Sequence, residues 1–244
     1  MLKSISLKYS DGKEYLFDFK AHKSLILYGT HALDILYSLE SILTAELSNN
    51  ISVKDKVYKI NYSNISDIYL QFMNDSFMIM TSGTLIKRGN IPQVHVIRYS
   101  GNGNIRSYDF TARNVASKIQ SNLFEYSSVM SETQWLRLIS VVNMYLDFKF
   151  VDLVDNELRF TLDDSKGYNL KECKFVYMLF GELFLTRGID QIVLLSDIEF
   201  MTKEHQVKLI SYLSSTLRVN SVVSTMNIDY TDISKTNNIP VVNT

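Results

Sequence analysis

The chain has 244 residues, of which 46% are hydrophobic and 12% aromatic, and its formal net charge is −1 at pH 7. This composition suffices for a packed core in one large domain or two small ones, and it excludes an intrinsically disordered chain. The single cysteine, Cys173, excludes an internal disulfide framework and is most simply a small core residue. No apolar run reaches the length of a membrane helix, and the N-terminus lacks a signal-peptide core, so we expect a cytoplasmic protein.

The N-terminal segment is predicted to form a hairpin, a buried strand and a helix. SISLKYSDGKEYLFDF (4–19) alternates apolar and polar residues on both sides of Asp11 and Gly12, which is typical of a hairpin with a tight turn. KSLILYG (23–29) is too apolar to have a wet face and predicts a central strand. Thr30 can then cap a helix with one apolar face.

The middle of the chain changes pattern. Short β-like runs with turn formers between them predict an antiparallel or irregular insertion over residues 51–110. Two helices follow, the first capped by Thr111 and the second opened by a capping box of Ser131 and Gln134. They predict a helical arm of about 40 residues that folds back on itself or pairs with another subunit.

The last third returns to alternating helices and strands. Asn169 and Glu172 open one helix, Thr202 begins another, and QIVLLSD (191–197) is a buried strand. Strands near residues 26, 194 and 223 most naturally lie side by side and parallel. The predicted fold class is therefore α/β: a head with a mixed sheet, plus an inserted β-rich and helical leg region. The head comprises residues 1–60 and 165–244, and the leg comprises residues 61–164.

The glycine that follows the apolar strand invites comparison with the phosphate-binding loop GxxxxGK[ST]. Counted from Gly29, the second glycine is replaced by Asp34, the lysine by Ile35 and the hydroxyl residue by Leu36. A carboxylate therefore stands where an anion would bind. Gly29 and Asp34 mark a degenerate phosphate loop, so the predicted head is a degenerate P-loop NTPase-like head, and we expect no bound nucleotide.

A second ATPase landmark is an apolar strand ending in Asp-Glu, which holds magnesium and orients the attacking water. Ser196 and Asp197 occupy these two places, with Glu199 two residues on. Met226 ends the next strand, where a transporter-type ATPase carries a histidine. We expect no nucleotide hydrolysis and predict that the protein is not an enzyme. The alternative is an ordinary α/β domain in which a strand happens to end in glycine.

Positive charge is concentrated in residues 87–118, where six cationic side chains stand against one carboxylate, Asp109. The candidate DNA-binding residues are Lys87, Arg88, Arg98, Arg106, Arg113 and Lys118. Interleaved tyrosines, asparagines and glycines suit a surface that contacts phosphates without reading bases. A solvated basic face is the alternative interpretation.

The charge balance inverts over residues 147–164, where six carboxylates stand against Lys149 and Arg159. Calcium takes about 6–8 oxygen ligands in flexible geometry, so VDLVDNELRF (151–160) could supply several. No EF-hand spacing is present, and a solvated acidic turn is the alternative.

Two phrases in the C-terminal half carry a family resemblance. Residues 167–230, with FMTKEH at 200–205, and the acidic VDLVDNEL at 151–158 resemble the small accessory protein of the type II-A CRISPR adaptation module. The resemblance implies a degenerate nucleotide-binding fold without ATPase activity and a tetrameric ring with a basic inner surface. It also implies binding to the ends of double-stranded DNA and to calcium near the junction of head and leg. The hairpin at Asp11 and the stretch 51–110 are longer than in shorter family members.

For this chain, the resemblance implies that the six basic residues line a DNA path and that Asp152, Asp155 and Glu157 bind calcium. The implied function is non-enzymatic, sequence-independent binding of double-stranded DNA in support of spacer acquisition, as a calcium-stabilised homo-oligomeric ring. Other CRISPR adaptation proteins are further partners, and no membrane is involved. The alternative is a degenerate ABC-type ATPase subunit acting as a regulatory pseudo-enzyme. A third hypothesis is a phage or plasmid structural protein.

Overall fold

The structure is a computed structural model of the chain. It describes residues 1–44, 65–75, 77–81, 84–88, 94–100, 105–107, 130–154, 157–188, 190–226 and 238–244. The chain forms two compact units. Unit 1 comprises Met1–Ser100 and Ile189–Thr244, and unit 2 comprises Gly101–Gly188.

Unit 1 contains most of the described strands. Its strands are β1 Leu2–Tyr9, β2 Glu14–Asp18, β3 Ser24–Tyr28, β4 Ile65–Phe72, β5 Phe77–Thr81, β6 Thr84–Arg88 and β7 His95–Ser100. In unit 2, the strands are β8 Ile105–Ser107, β9 Val151–Val154 and β10 Glu157–Phe160. The strands that return to unit 1 are β11 Gln191–Ser196, β12 Asn220–Thr225 and β13 Val241–Asn243.

Four α-helices are present in the described part of the chain. Unit 1 has α1 Ala32–Thr44 and α4 Lys203–Ser211, and a π-helical turn, Tyr212–Thr216, continues α4. Unit 2 has α2 Glu132–Leu146, α3 Leu170–Leu185 and a short 3₁₀ turn, Asp164–Lys166. None of these helices combines the length and the hydropathy that a bilayer crossing needs.

One sheet of unit 1 is antiparallel and has the strand order β2-β1-β4-β5-β6. The predicted hairpin is confirmed, because β1 pairs with β2 in antiparallel register on either side of the turn. Gly12 occupies this turn with φ +87, a left-handed conformation that glycine adopts without steric cost. Ile5 and Leu7 are fully buried, so the alternating pattern identifies the core face of the sheet.

The other sheet of unit 1 has parallel neighbours in the order β13-β3-β12-β11-β7. Val223 of β12 is aligned with Ile26 of β3 on one side and with Leu195 of β11 on the other. The prediction that these three strands lie side by side and parallel is therefore confirmed. Together with the antiparallel sheet, this arrangement establishes the α/β fold class with mixed strand directions.

The strand β7 differs from the sequence expectation. Residues 51–110 were expected to form an antiparallel or irregular insertion, but β7 runs parallel to β11 in the central sheet. The physical reason is that Val96, Ile97, Arg98 and Tyr99 are all buried. Continuous burial is typical of a parallel strand covered on both faces, and the charge of Arg98 concealed that pattern in the sequence.

The helix α1 follows β3 as predicted and buries Ile35, Leu36 and Leu39 completely. Its first residue is Ala32, so Thr30 is not the N-cap. The amide of Ala32 donates to Gly29 O at 3.2 Å, and the amide of Ile35 donates to His31 O at 3.1 Å. The chain thus enters the helix through a tight turn directly after the glycine.

Unit 2 is built around two capped helices and a hairpin. The capping boxes of Ser131 with Gln134 and of Asn169 with Glu172 are both present, which confirms the predicted helix starts. Helix α2 packs against α3, and Tyr145 contacts Phe180 edge-on at a ring distance of 5.3 Å. The helix predicted to begin at Thr111 lies outside the described residues.

The boundaries of the two units differ from those expected for head and leg. Strands β4 to β7 belong to unit 1, whereas residues 61–164 were assigned to the leg. Helix α3 belongs to unit 2, although residues 165–244 were assigned to the head. The division into a head and a leg as functional domains stays a prediction.

Candidate functional site

The turn after β3 is the place where a phosphate loop would lie. Three residues, 29–31, separate the last residue of β3 from the first residue of α1. Gly29 has φ +121, a backbone conformation that residues with a Cβ rarely adopt. The strand, glycine and helix of a phosphate-binding loop are therefore present, but α1 begins inside the span that would wrap around a phosphate.

The backbone of this turn is already occupied by the protein itself. The amide of Gly29 donates to Thr225 O at 3.1 Å, and the amide of Thr244 donates to Tyr28 O at 2.8 Å. A Cβ placed on Gly29 would lie 2.7 Å from Thr244 O. The Gly29 amide, which would donate to a phosphate, already donates to β12. Thr244, the residue after β13, fills the space next to Gly29.

The side chains of the degenerate loop also lack phosphate chemistry. Ile35 and Leu36 stand in the positions of the lysine and the hydroxyl residue, and both are fully buried in the core. Asp34 lies in the first turn of α1, with Oδ2 3.7 Å from His31 Nδ1 and a side chain 55% exposed. The predicted loop residues Gly29 and Asp34 thus lie on either side of the first residue of α1, and neither side chain offers a donor to an anion.

A cavity of about 220 Å³ lies at the carboxyl ends of β11 and β12, beside the start of α1. Ligands of open α/β sheets commonly bind at this edge. Two carboxylates, Asp197 and Glu199, line the cavity together with Leu33 and Thr225, and no lysine or arginine is among the described residues of the lining. The Thr225 hydroxyl donates to Glu199 Oε1 at 3.0 Å. A phosphate would meet negative charge here without compensation.

Asp197 is held in place by a chain of hydrogen bonds that starts at Arg98. Arg98 Nη2 donates to Ser196 Oγ at 2.7 Å, and Ser196 Oγ donates to Asp197 Oδ2 at 2.5 Å. Asp197 itself adopts a left-handed backbone conformation, with φ +54. This combination fixes the orientation of the carboxylate at the cavity wall.

The position of Arg98 corrects its assignment as a DNA-binding residue. The residue is 3% exposed, its guanidinium donates to Tyr99 O at 3.0 Å, and it lies 5.2 Å from the centre of the Tyr37 ring. A guanidinium enclosed in this way cannot reach a phosphate of a DNA backbone. The signal that sequence reasoning missed was an arginine inside a continuous apolar run, which indicates a buried and paired charge.

The other candidate DNA-binding residues are only partly placed. Lys87 and Arg88 end β6, and Arg106 is the middle residue of β8. Arg113 and Lys118 lie outside the described residues. Their role in binding DNA stays a prediction.

In the acidic segment, one of the carboxylates predicted to bind calcium forms an ion pair with a lysine instead. Asp152, on β9, lies 2.7 Å from Lys149 Nζ. The hydrogen bond from Lys149 lowers the pKa of Asp152 below its usual range. Glu157 begins β10 opposite Val154, and Asp155 lies outside the described residues. Within the described ranges, no group of three or more acidic, histidine or cysteine residues is arranged to hold a metal ion.

Comparison with known proteins gives no match among protein-family models and none among curated proteins. Three solved structures cover nearly the whole chain at low identity. An Smc head bound to the C-terminal winged-helix domain of ScpA is 9% identical, with 96% of this chain and 91% of that chain covered and a TM-score of 0.45. The recombination mediator RecF with ATP, from the RecFOR pathway, is 12% identical, with coverages of 96% and 94% and a TM-score of 0.42. The SMC head domain from Thermotoga maritima is 10% identical, with coverages of 96% and 91% and a TM-score of 0.40. The chain is similar to these three structures in outline only. Its α/β fold class follows from its own strand registers.

Proposed function

We propose that this protein is a non-enzymatic, sequence-independent binder of double-stranded DNA that supports CRISPR spacer acquisition as a homo-oligomeric ring. The non-enzymatic part of this proposal rests on one observation, the closed turn after β3. The Gly29 amide donates to Thr225 O, and Thr244 packs directly on the glycine. A head that has closed its own phosphate site acts by binding and assembly rather than by hydrolysis.

The electrostatics of the neighbouring cavity support the same proposal. Asp197 and Glu199 line the cavity, and the lysine that would neutralise a triphosphate is replaced by the buried Ile35. Two carboxylates in a partly enclosed cavity repel an anionic ligand more strongly than they would in open water. Nucleotide binding at this edge of the sheet is therefore disfavoured by both shape and charge.

The DNA-binding part of the proposal rests on the basic segment without Arg98. Five cationic residues remain in residues 87–118 against the single carboxylate of Asp109: Lys87, Arg88, Arg106, Arg113 and Lys118. Such a segment binds phosphates weakly on its own. Several copies facing one channel bind a duplex much more tightly, because the first contact raises the effective concentration of the next.

A competition gel shift tests the DNA-binding ring directly. Linear duplex DNA and the same DNA as a covalently closed circle compete for the protein at fixed ionic strength, with calcium and with EDTA. We expect a strong preference for linear DNA that EDTA abolishes, since a ring threads onto free ends and calcium stabilises it. Equal binding to both forms would contradict the ring, and no binding to either form would contradict the DNA-binding function itself.

A charge-reversal pair tests the surface. Arg106→Glu combined with Arg113→Glu should abolish DNA binding, because counterion release from several phosphates drives the affinity. The matched control is Lys20→Glu combined with Lys174→Glu, which makes the same change in net charge at two exposed sites elsewhere. Unchanged affinity in the first pair, or equal loss in the control, would contradict the assigned surface.

The second candidate function is a degenerate ABC-type ATPase subunit acting as a regulatory pseudo-enzyme. Asp197 favours it, because a carboxylate remains at the end of β11 beside the start of α1. A thermal unfolding curve with ATP and magnesium distinguishes the two candidates. A saturable rise in melting temperature would favour the pseudo-enzyme, since a ligand stabilises the folded state by RT ln(1 + [L]/Kd).

A further inference from the structure

A second cavity of unit 1, of about 210 Å³, lies where the strands of the parallel sheet begin. Its lining includes the residue before β3 and the first residues of β11 and β12. We call it the strand-start cavity. It is at the opposite ends of β11 and β12 from Asp197 and Glu199, so it is separate from the degenerate nucleotide site.

Two cationic side chains line the strand-start cavity. Lys23 is half-buried and Arg218 is exposed, and neither forms an ion pair with another residue that the structure describes. The carboxylate in the lining, Asp190, is itself bridged at 2.7 Å by the amino group of Met1. The side chains of the cavity therefore present positive charge that no described carboxylate neutralises.

Two further features prepare this wall of the cavity for a polar ligand. Arg218 has φ +55, a left-handed conformation that arginine seldom adopts and that sets the direction in which its side chain leaves the chain. Asn220, two residues on, is 7% exposed, and its Oδ1 has no hydrogen-bond partner among the described residues. Rotation of this amide can offer either an acceptor or two donor protons to a bound group.

We propose that the strand-start cavity binds a phosphate monoester. Lys23 and Arg218 supply the two positive charges, and Asn220 supplies a hydrogen bond to a phosphate oxygen or its proton. A phosphate monoester carries about −1.5 to −2 charges near neutral pH, so it matches two cations, whereas a carboxylate would leave one of them unmatched. Arginine binds phosphate through two parallel N–H donors of its guanidinium group, and lysine binds it through a single compact positive charge.

The size of the cavity limits how much of a ligand it can enclose. Pockets for drug-sized molecules measure about 300–1,000 Å³, and this one is smaller. It can therefore hold the phosphate group of a larger molecule while the rest of that molecule stays outside. The phosphate can come from a free nucleotide-like molecule or from the 5′ end of a nucleic acid strand.

Isothermal titration calorimetry with inorganic phosphate tests the cavity without using DNA. At constant ionic strength, we expect saturable binding of one phosphate per chain that chloride does not reproduce. Lys23→Gln and Arg218→Asn should each weaken binding by about tenfold or more, since each removes a charge-assisted hydrogen bond. Asparagine tolerates the left-handed backbone at position 218, so that variant is expected to remain folded.

The matched control is Lys20→Gln, which removes an exposed lysine three residues away that does not line the cavity. Its affinity for phosphate should equal that of the unmodified protein. Equal affinity in Lys23→Gln and Arg218→Asn, or no saturable heat in the unmodified protein, would overturn the proposal. Titration of the unmodified protein with acetate is a second test. Acetate that binds as tightly as phosphate would also overturn the proposal.

Two duplexes that differ only in a 5′-phosphate or a 5′-hydroxyl group distinguish the sources of the phosphate. A preference for the phosphorylated duplex that disappears in Lys23→Gln supports a strand terminus as the ligand. Equal binding of the duplexes, with saturable binding of a nucleoside 5′-monophosphate, supports a free small molecule. Because inorganic phosphate is the primary probe, failure of the DNA-binding proposal leaves this inference standing, and the reverse also holds.

Discussion

Arg98 Nε lies 3.6 Å from Glu40 Oε2, and the two side chains are only 4% and 6% exposed. This buried ion pair joins β7 to α1, the helix that follows the closed turn at Gly29. The same guanidinium donates to Ser196 Oγ and so also reaches β11. A single cation thus links three elements of unit 1, β7, α1 and β11.

Replacing Arg98 with methionine should reduce the free energy of unfolding by about 3–5 kcal/mol, because Glu40 would stay buried without its cation. The combined variant Arg98→Met and Glu40→Leu should recover most of this loss, since an apolar pair of similar volume avoids the cost of burying charge. Urea unfolding followed by circular dichroism measures both effects.

The exposed Arg137 of α2 provides the control for this prediction. Arg137→Met should change the free energy of unfolding by less than about 0.5 kcal/mol, as expected for a surface site. If Arg98→Met were as mild as Arg137→Met, the buried pair would not be a structural link.

Alanine at Gly29 should be markedly destabilising. The left-handed backbone costs about 1–2 kcal/mol for a residue with a Cβ, and overpacking typically costs a further 1–3 kcal/mol or so. Here the new Cβ would lie 2.7 Å from Thr244 O. The measurement is the midpoint of urea unfolding at unchanged m-value.

Gly12→Ala separates the two causes of that loss. Gly12 also has a positive φ, of +87, but no atom of the described residues lies within 4 Å of the position of an added Cβ. The Gly12→Ala variant should therefore lose only the backbone part of the free energy of unfolding, about 1–2 kcal/mol. Equal losses at Gly12 and Gly29 would show that the packing of Thr244 on the turn has no energetic weight.

Removal of the N-cap of α3 should weaken unit 2. Asn169 Oδ1 accepts from the Glu172 amide at 2.9 Å, and Glu172 Oε2 accepts from the Asn169 amide at 2.8 Å. Asn169→Ala should cost about 1 kcal/mol of stability, whereas Asn169→Asp, which retains an acceptor, should cost much less. Thermal unfolding of the two variants side by side distinguishes loss of the cap from a general effect of mutation at this site.

The thiol of Cys173 should not react in the folded protein. Burial raises the pKa of this thiol from an ordinary value of 9.0 to about 12, so very little thiolate forms near neutral pH. A thiol reagent should modify the protein only after urea is added. Rapid modification of the folded chain would contradict the burial of Cys173.

The same shift predicts a loss of stability in alkali. A folded-state pKa above the unfolded value stabilises the fold fully below pH 9.0 and loses that contribution as pH rises towards about 12. Tyr177 acts in the same direction, because burial raises the pKa of its hydroxyl from 10.0 to about 12. Unfolding midpoints should therefore fall across this range, and Cys173→Ala should reduce the slope of the fall.

Local sequence patterns were enough to predict the elements whose formation depends on near neighbours. The turn at Asp11 and Gly12, the capping boxes at Ser131 and Asn169, and the buried strand at Ile26 all follow from signals within a few residues. A tight turn or a cap is satisfied by its own segment, so its hydrogen bonds can be inferred without knowing the rest of the fold. The sequence also showed directly that the glycine and lysine of a phosphate-binding loop are replaced by Asp34 and Ile35.

The tertiary structure alone decided what surrounds each charge. Arg98 belongs to a basic segment of the sequence, yet its partners Glu40 and Ser196 come from segments 58 residues before it and 98 residues after it. Thr244 closes the turn at Gly29 across a still larger separation. Charge counts along a chain cannot distinguish a solvated cation from a buried one, because burial depends on which distant strands become neighbours in the sheet.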